Sequence, residues 1–357
     1  MNENSGGPFT LKIGIAGLGF GVDVHLPGFR DLPGVEVVGL LGRDPVHAAE
    51  VAARTGLPVS IDLATWLEAP FDAVSLALPP AEVERAAAAA IDRGIPVLGE
   101  KPLGSDYRTA SALAARAATR PNAVDFEFAE LETFVALREA IHAGVIGPIR
   151  HVGVVWLMES RAHRDGRWSW KTDAARCGGA LTLLGTHVFF LLEWLFGPIA
   201  RVSARLDSQV TARIAPMRGA LPADDLVHLI LEHRAGTISC ATIGNANPGI
   251  ASHRWTVVGE RGAATLDNAG QSLTGGFTLN VFDRDGRTIR QSVEAATKGD
   301  SRIPPFRRLA ARFVDAVRSG GRCRPDFADG ARVAALVEAT RQSAKAETWV
   351  KPDPEPA

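Results

Sequence analysis

The chain has 357 residues, of which 46% are hydrophobic and 22% charged, so it is a globular sequence of about two domains rather than a disordered or fibrous one. Its 39 Lys and Arg residues balance 40 Asp and Glu, and a net charge of -1 offers no basic field for nucleic acid or an anionic membrane. The chain has three cysteines, an odd number, and they lie far apart: Cys177, Cys240 and Cys323. This pattern excludes a disulfide scaffold and a cysteine-based metal site, and it predicts a cytoplasmic protein.

The N-terminal part of the chain alternates apolar strands with helices. Strands are predicted at 11–16, 35–41, 71–78, 95–98 and 123–126, and helices at 22–32, 46–54, 81–92 and 107–119. Nearly continuous apolar strands separated by helices are typical of a parallel sheet that is covered on both faces. We therefore expect a first α/β domain over 10–127.

The pattern changes after residue 127, where strand-type segments follow one another. A helix at 131–143 precedes strands at 150–157, 201–206, 226–231, 236–243, 254–258, 263–266 and 278–282, and helices at 306–319 and 330–346 close the chain. Hairpin-like breaks between these strands predict a mainly antiparallel sheet. We expect a second domain over 128–350, whose final helix could pack back on the first domain.

One apolar segment, 181–200, has the length of a membrane span. It carries Glu193 near its middle and is interrupted by Gly185 and by Gly197-Pro198. Because a carboxylate at mid-membrane is costly, we interpret the segment as a buried helix and expect no membrane anchor.

A glycine-rich turn, Gly17–Val22, joins the first strand to the first helix. A turn of this kind lets backbone amides approach a pyrophosphate at a helix N-terminus. In the pattern G-x-G-x-x-G the third glycine would stand at Val22, but here it stands at Gly21, so close packing of helix and strand must arise differently. An ordinary tight turn is the alternative. The predicted cofactor-binding residues are Gly17, Gly19, Phe20, Gly21, Val22, Gly42, Arg43, Leu78, Pro79, Glu100 and Lys101.

The end of the second predicted strand lacks the carboxylate that usually binds the adenosine ribose of NAD. The position is Gly42, followed by Arg43, and an arginine can pair with the 2′-phosphate of NADP. The sequence therefore favours NADP over NAD. In the alternative, Arg43 is a solvated loop residue and Asp44 only caps the next helix.

Glu100-Lys101-Pro102 follows the strand at 95–98, where residues line the ligand crevice of a parallel sheet. A lysine ammonium there can exchange a proton with a substrate oxygen as a hydride moves at the neighbouring carbon. A surface ion pair is the alternative. The only tyrosine, Tyr107, has no lysine one helical turn later, which excludes short-chain dehydrogenase chemistry.

Six ordered segments resemble the Gfo/Idh/MocA oxidoreductase family, which includes glucose-fructose oxidoreductase and myo-inositol dehydrogenase: 17–27, 72–80, 94–103, 144–152, 177–197 and 325–344. The resemblance implies an N-terminal Rossmann domain with a doubly wound parallel sheet. It also implies a C-terminal α+β domain, whose mainly antiparallel open sheet joins copies of the chain into a homo-oligomer, a dimer or tetramer. The implied activity is NAD(P)-dependent hydride transfer between nicotinamide and a secondary alcohol or ketone of a small sugar- or cyclitol-like substrate.

The C-terminal landmark of that family, G-G-G-x-L-x-D-x-G-x-H-x-x-D, falls on 177–190, where Leu183 and Phe190 replace both acids. The resemblance implies that His187 orients the substrate oxygen and that Lys101 exchanges its proton. Glu127 and Glu130 could supply the missing acid, on their position alone. The implied substrate-binding residues are Trp170, Lys171, Arg176, Thr186 and His187.

The loss of both acids leaves two other functions open. The chain could be a catalytically silent sensor that binds the dinucleotide without turnover, or a reductase of a more apolar ketone or imine.

Overall fold

The computed structural model describes residues 10–216, 219–270 and 272–352, which form two compact units. Unit 1 comprises the described residues up to Gly104, Thr109–Asp125 and Arg302–Gly330. Unit 2 comprises Ser105–Arg108, Phe126–Ser301 and the described residues from Ala331 onward.

The strands are β1 (Leu11–Ala16), β2 (Val35–Leu41), β3 (Val59–Ser60), β4 (Ala73–Leu76), β5 (Val97–Gly99), β6 (Asn122–Val124), β7 (Ile149–Leu157), β8 (Ile199–Asp207), β9 (Leu226–His233), β10 (Ile238–Gly244), β11 (Ser252–Gly259), β12 (Gly262–Asn268), β13 (Thr278–Asp283) and β14 (Thr288–Val293). The α-helices are α1 (Leu26–Arg30), α2 (Pro45–Thr55), α3 (Leu63–Trp66), α4 (Pro80–Asp92), α5 (Tyr107–Ala117), α6 (Glu132–His142), α7 (Arg161–Arg164), α8 (Thr186–Phe196), α9 (Gln209–Arg213), α10 (Ile303–Ser319) and α11 (Phe327–Ala346). Most of these bounds lie within two or three residues of the predicted ones.

The sheet of unit 1 is parallel throughout, in the order β3-β2-β1-β4-β5-β6. This confirms the predicted doubly wound sheet. The strand order reverses between β1 and β4, and in such sheets ligands bind in the crevice at the carboxyl ends of the strands beside the reversal. The loops after β1 and β4 therefore flank the expected crevice.

Helix α10 belongs to unit 1, whereas the sequence analysis placed 306–319 in the second domain. Its fully buried Phe306 stacks on His25, with ring centroids 4.1 Å apart. A Cβ on Gly28 would lie 2.4 Å from the Phe306 ring, so the close approach of α1 and α10 needs a glycine there. Apolar periodicity predicts that a helix buries one face, but it does not identify the partner.

The sheet of unit 2 has the order β14-β13-β12-β11-β7-β10-β9-β8. Neighbouring strands are antiparallel except for the parallel pair β7 and β10, which confirms a mainly antiparallel sheet. The edge strand β14 is not predicted because nearly all of its side chains are exposed and no apolar alternation marks it.

The segment Ala174–Phe196 is the one described stretch long and apolar enough to cross a membrane, and 78% of its most apolar window is buried inside the fold. It contains a π-helical turn, Leu181–Gly185, that leads directly into α8. Val188, Phe189, Leu191 and Leu192 have no exposed surface. The segment thus forms the buried helix that the sequence predicts.

Candidate functional site

The turn after β1 in unit 1 requires glycine at its first position. Gly17 has a φ of +106°, and a Cβ there would lie 2.1 Å from the carbonyl oxygen of Ala77. Any side chain at this position would therefore push apart the loops that follow β1 and β4. The close backbone approach on the two sides of the strand reversal depends on this glycine.

The other two glycines of the turn have different roles. A Cβ on Gly19 would meet nothing within 4 Å, so this residue leaves open backbone surface. A Cβ on Gly21 would lie 3.0 Å from the Ile15 side chain and 3.2 Å from that of Ala77. Gly21 thus provides the close approach of helix and strand that the third glycine of the pattern usually provides. Gly21 opens a π-helical turn, Gly21–His25, whose Val22 is buried.

The carboxyl end of β2 presents a cation rather than a carboxylate. A Cβ on Gly42 would lie 2.4 Å from Leu18, which explains the glycine, and the Arg43 side chain is exposed. The carboxylate of Asp44 accepts a hydrogen bond of 2.8 Å from the amide of His47 and so caps α2. The acidic side chain nearest the end of β2 is thereby occupied.

Glu100 and Lys101 lie at the same edge of the sheet. The Glu100 amide donates a hydrogen bond of 2.9 Å to the carbonyl of Leu76, the last residue of β4. Leu78 and Pro79, which lead from β4 to α4, are half-buried. The structure therefore brings the predicted cofactor residues of unit 1 to the carboxyl ends of β1, β2, β4 and β5.

A buried histidine joins this group, although the sequence analysis did not assign it a role. His25 has no exposed surface, and its Nδ1 lies 2.8 Å from the Ser75 hydroxyl. Its Nε2 lies 3.3 Å from a Glu100 oxygen and 3.5 Å from an Asp125 oxygen. His25 falls within a segment of the family resemblance, but no spacing rule links it to a glutamate 75 residues away.

The charge of Glu100 is set by these neighbours. Burial by itself raises the pKa of its carboxyl group, but the hydrogen bond and charge of His25, with the charge of Lys101, outweigh burial and lower the pKa below its usual range. Glu100 is therefore ionised at neutral pH beside Lys101.

In unit 2, His187 of α8 lies in an aromatic enclosure. Its ring centroid is 4.8 Å from that of Phe128, 6.1 Å from that of Phe126 and 6.2 Å from that of Trp156. Its Nε2 lies 4.0 Å from an oxygen of Glu127, and both residues are buried. Glu127 opens a 3₁₀ turn, Glu127–Glu130, and the sequence analysis reached it only through its position.

Phe190 and Leu183, at the two acidic positions of the family landmark, lie in apolar or half-buried surroundings. Phe190 stacks on Phe126, with centroids 4.5 Å apart and planes 4° from parallel, and Leu183 is half-buried in the π-helical turn. The Thr186 hydroxyl donates a hydrogen bond of 2.9 Å to the Thr182 carbonyl, so its proton is used inside the helix.

The predicted substrate loop packs on the glycines that precede the buried helix. A Cβ on Gly178 would lie 2.6 Å from the carbonyl groups of Trp170 and Lys171. The Lys171 ammonium lies 5.7 Å from the centre of the Trp170 ring, and Lys171 and Arg176 are exposed. The loop thus offers one half-buried aromatic ring and two exposed cations.

Asp224 is an acidic residue of unit 2 that the sequence analysis did not name. It accepts a hydrogen bond of 2.6 Å from the amide of Leu181. Burial raises the pKa of its carboxyl group, against the lowering effects of this amide and of Arg341. Asp224 lies 43 residues after the amide that it caps, so no short sequence pattern could have predicted this contact.

Glu100 makes the free energy of unfolding depend on pH. Because its pKa is lowered in the folded protein, its contribution is present above the unfolded value of about 4.3 and is lost as the pH falls through the folded value. We expect Glu100→Gln to cost about 1–3 kcal/mol at pH 7 and less near pH 3, in urea unfolding followed by circular dichroism. The exposed Glu36→Gln serves as the control, and an equal cost at both pH values contradicts the account.

Comparisons with known proteins agree with this geometry. The profile "Oxidoreductase family, NAD-binding Rossmann fold" matches residues 11–128, and "GFO/IDH/MocA C-terminal domain" matches residues 134–265. An uncharacterized oxidoreductase, sll0816, from Synechocystis sp. is 28% identical over 361 residues, 96% of each chain. Inositol 2-dehydrogenase 1 from Saccharopolyspora erythraea is 27% identical over 92% of this chain and 93% of its own length.

A solved structure of levoglucosan dehydrogenase in complex with NADH and levoglucosan has the same fold, with a TM-score of 0.85 at 22% identity, over 97% of this chain and 100% of that one. The two family profiles together cover more than half of the chain, in the order that the resemblance implied. The protein therefore belongs to the Gfo/Idh/MocA family of NAD-binding oxidoreductases.

Proposed function

We propose that the protein is an NAD(P)-dependent dehydrogenase that interconverts a secondary alcohol and a ketone on a small sugar- or cyclitol-like molecule. The observation that carries this proposal lies within unit 1, where the Gly17–Gly21 turn and the Glu100-Lys101 pair stand at the same edge of one parallel sheet. The names of the relatives, an inositol dehydrogenase and a levoglucosan dehydrogenase, support the substrate class.

The turn fits a dinucleotide because Gly19 leaves open surface where a pyrophosphate would approach the backbone. Gly17, Gly19, Phe20 and Gly21 would hold the pyrophosphate, and Leu78 with Pro79 would contact the dinucleotide from the neighbouring loop. A bound nicotinamide dinucleotide supplies the carbon that exchanges a hydride with the substrate. The chain's own task is to bind, to orient and to move the oxygen's proton.

Lys101 is proposed to move that proton. When the ketone is reduced, the lysine ammonium donates a proton to the substrate oxygen as the hydride arrives. When the alcohol is oxidised, the neutral lysine amine accepts the hydroxyl proton as the hydride leaves. The carboxyl group of Glu100 beside it is ionised, because His25 and Lys101 lower its pKa. His187, in unit 2, is proposed as a substrate-binding residue.

The comparisons favour neither a catalytically silent sensor nor a reductase of apolar ketones or imines, since the named relatives are sugar and cyclitol dehydrogenases. Both remain as outcomes of the turnover experiment. Tight dinucleotide binding without turnover would support the sensor, and turnover confined to apolar carbonyls would support the reductase.

Turnover should depend on Lys101. We expect the wild type to reduce NAD or NADP with at least one member of a panel of sugars and cyclitols, and Lys101→Met to lower kcat by about a hundredfold or more. Dinucleotide affinity, measured by fluorescence quenching, should fall far less than kcat. The exposed Lys12→Met is the matched control. Equal rates in wild type and Lys101→Met would remove Lys101 from the chemistry.

We further propose that NADP is the preferred dinucleotide. The exposed guanidinium of Arg43 at the end of β2 and the use of the Asp44 carboxylate as a helix cap support this preference. An arginine stabilises a 2′-phosphate, whereas a carboxylate would repel it.

Arg43→Ala should therefore weaken binding of NADPH by about tenfold, and of NADH much less, in parallel fluorescence titrations. Arg54→Ala, which removes an exposed arginine from α2, controls for the loss of positive charge. Equal weakening of both dinucleotides by Arg43→Ala would contradict the assignment.

A homo-oligomer through the open sheet of unit 2 is also proposed. One face of β7, β9 and β11 is buried, while the other exposes Val155, Ile230 and Val258 at 37–46% of their surface. Exposed apolar side chains on the open face of a sheet are typical of an interface between subunits.

Light scattering tests this interface. We expect a dimer or tetramer for the wild type and a smaller species for Ile230→Glu, because a buried, unpaired carboxylate would destabilise the contact. The control is Ile61→Glu, at an isoleucine of similar exposure in unit 1. A monomeric wild type would contradict the proposal.

A further inference from the structure

We propose that Glu127 is a positioning residue for His187, and that its carboxylate takes the place of the acids lost at Leu183 and Phe190. The proposal rests on the proposed function in one respect, that His187 binds substrate. The contact itself is a property of unit 2 alone.

The two side chains are both buried and lie close together, at a distance longer than a direct hydrogen bond. Glu127 is 6% exposed and His187 is 3% exposed, and the nearest nitrogen and oxygen atoms are 4.0 Å apart. Opposite charges at this distance attract each other far more strongly inside a protein than in water. By this proposal, the carboxylate of Glu127 attracts the imidazole and holds its Nε2 towards the turn that carries Glu127.

The turn that carries the carboxylate also holds the plane of the imidazole. Phe126 and Phe128, on either side of Glu127, both meet the His187 ring edge to face, and Trp156 of β7 covers it from the sheet. These rings exclude water, so an ionised group among them is costly unless it is paired. Placing Glu127 beside His187 offsets part of that cost for both groups.

The apolar replacements at the landmark positions fit the same arrangement. Phe190 lies parallel to Phe126 at 4.5 Å and so supports the start of the turn, which a carboxylate at 190 could not do. Leu183 stands one helical turn before His187, where an acid would face the imidazole from the helix. In this chain the acid approaches the imidazole from the turn instead.

Three other charged or titratable groups of the surrounding elements have hydrogen-bond partners of their own. His253, stacked on Trp156, accepts a hydrogen bond from the Trp255 indole, and burial lowers its pKa to about 3, so it is neutral. Asp224 accepts from the Leu181 amide, and Arg341 donates to the Thr182 hydroxyl. Glu130 lies at the far end of the Glu127–Glu130 turn.

The pair is tested first without turnover, by NMR titration of the histidine rings in the full chain with no dinucleotide or substrate added. The chain has 9 histidines, and His187→Gln assigns the signal. We expect Glu127→Gln to lower the pKa of His187 by about one unit or more, and the exposed Glu132→Gln to leave it unchanged. An unchanged pKa in Glu127→Gln would overturn the proposal.

Kinetics then test the positioning role. Glu127→Gln should lower kcat by about tenfold or more and leave the dinucleotide Kd unchanged, and adding Leu183→Asp should restore much of the loss by returning an acid to the helix. A merely structural defect would not be rescued in this way, and absence of rescue with a normal His187 pKa counts against the proposal.

Two other results, a variant that does not fold and a wild type without turnover, are also covered by these experiments. If Glu127→Gln does not fold, Glu127→Asp takes its place, with a smaller shift of the His187 pKa expected and an unchanged pKa contradicting the pair. If the wild type turns over no sugar or cyclitol, the proposed function fails, while the NMR titration still decides whether Glu127 and His187 are coupled.

Discussion

A polar group that is taken out of water needs a polar partner inside the protein. In each unit, a buried histidine ring lies beside at least one carboxyl group. His25 lies within 3.3 Å of Glu100 and 3.5 Å of Asp125. His25 follows β1, Glu100 follows β5 and Asp125 follows β6. One cluster therefore connects the segments that follow three strands. Lys101, next to Glu100, is placed by the same cluster.

Unit 1 also requires that backbone segments approach each other closely at two glycines near this cluster. Gly17 lets the loops after β1 and β4 meet, and Gly21 lets the helical turn lie against β1, which carries His25 towards Glu100. The edge of the sheet is thus closely packed where the backbone and side chains converge, and open at Gly19. A site built in this way orients a bound molecule without first having to order its own backbone.

Local patterns in the sequence predicted most of the fold, because periodicity and glycine turns are encoded within short windows. The two residues of β3 and the exposed β14 carry no such pattern, and the apolar face of α10 did not reveal its partner in unit 1. The glycine turn and Lys101 could be predicted from the sequence, whereas His25 could not, since its carboxylates are distant in the chain. Glu127 was suggested by position, and only the structure shows its contact with His187. The compartment, the NADP preference and the oligomer stay predictions.

The central claim, that the chain moves a hydride between a carbinol carbon and a nicotinamide, is tested most directly by following an isotope. The protein is incubated with an oxidised dinucleotide and sugars or cyclitols that carry deuterium on their carbinol carbons, and the dinucleotide is analysed by mass spectrometry. The account predicts a reduced dinucleotide that has gained a deuterium. Reduced dinucleotide without the label, or none with any member of the panel, would contradict it.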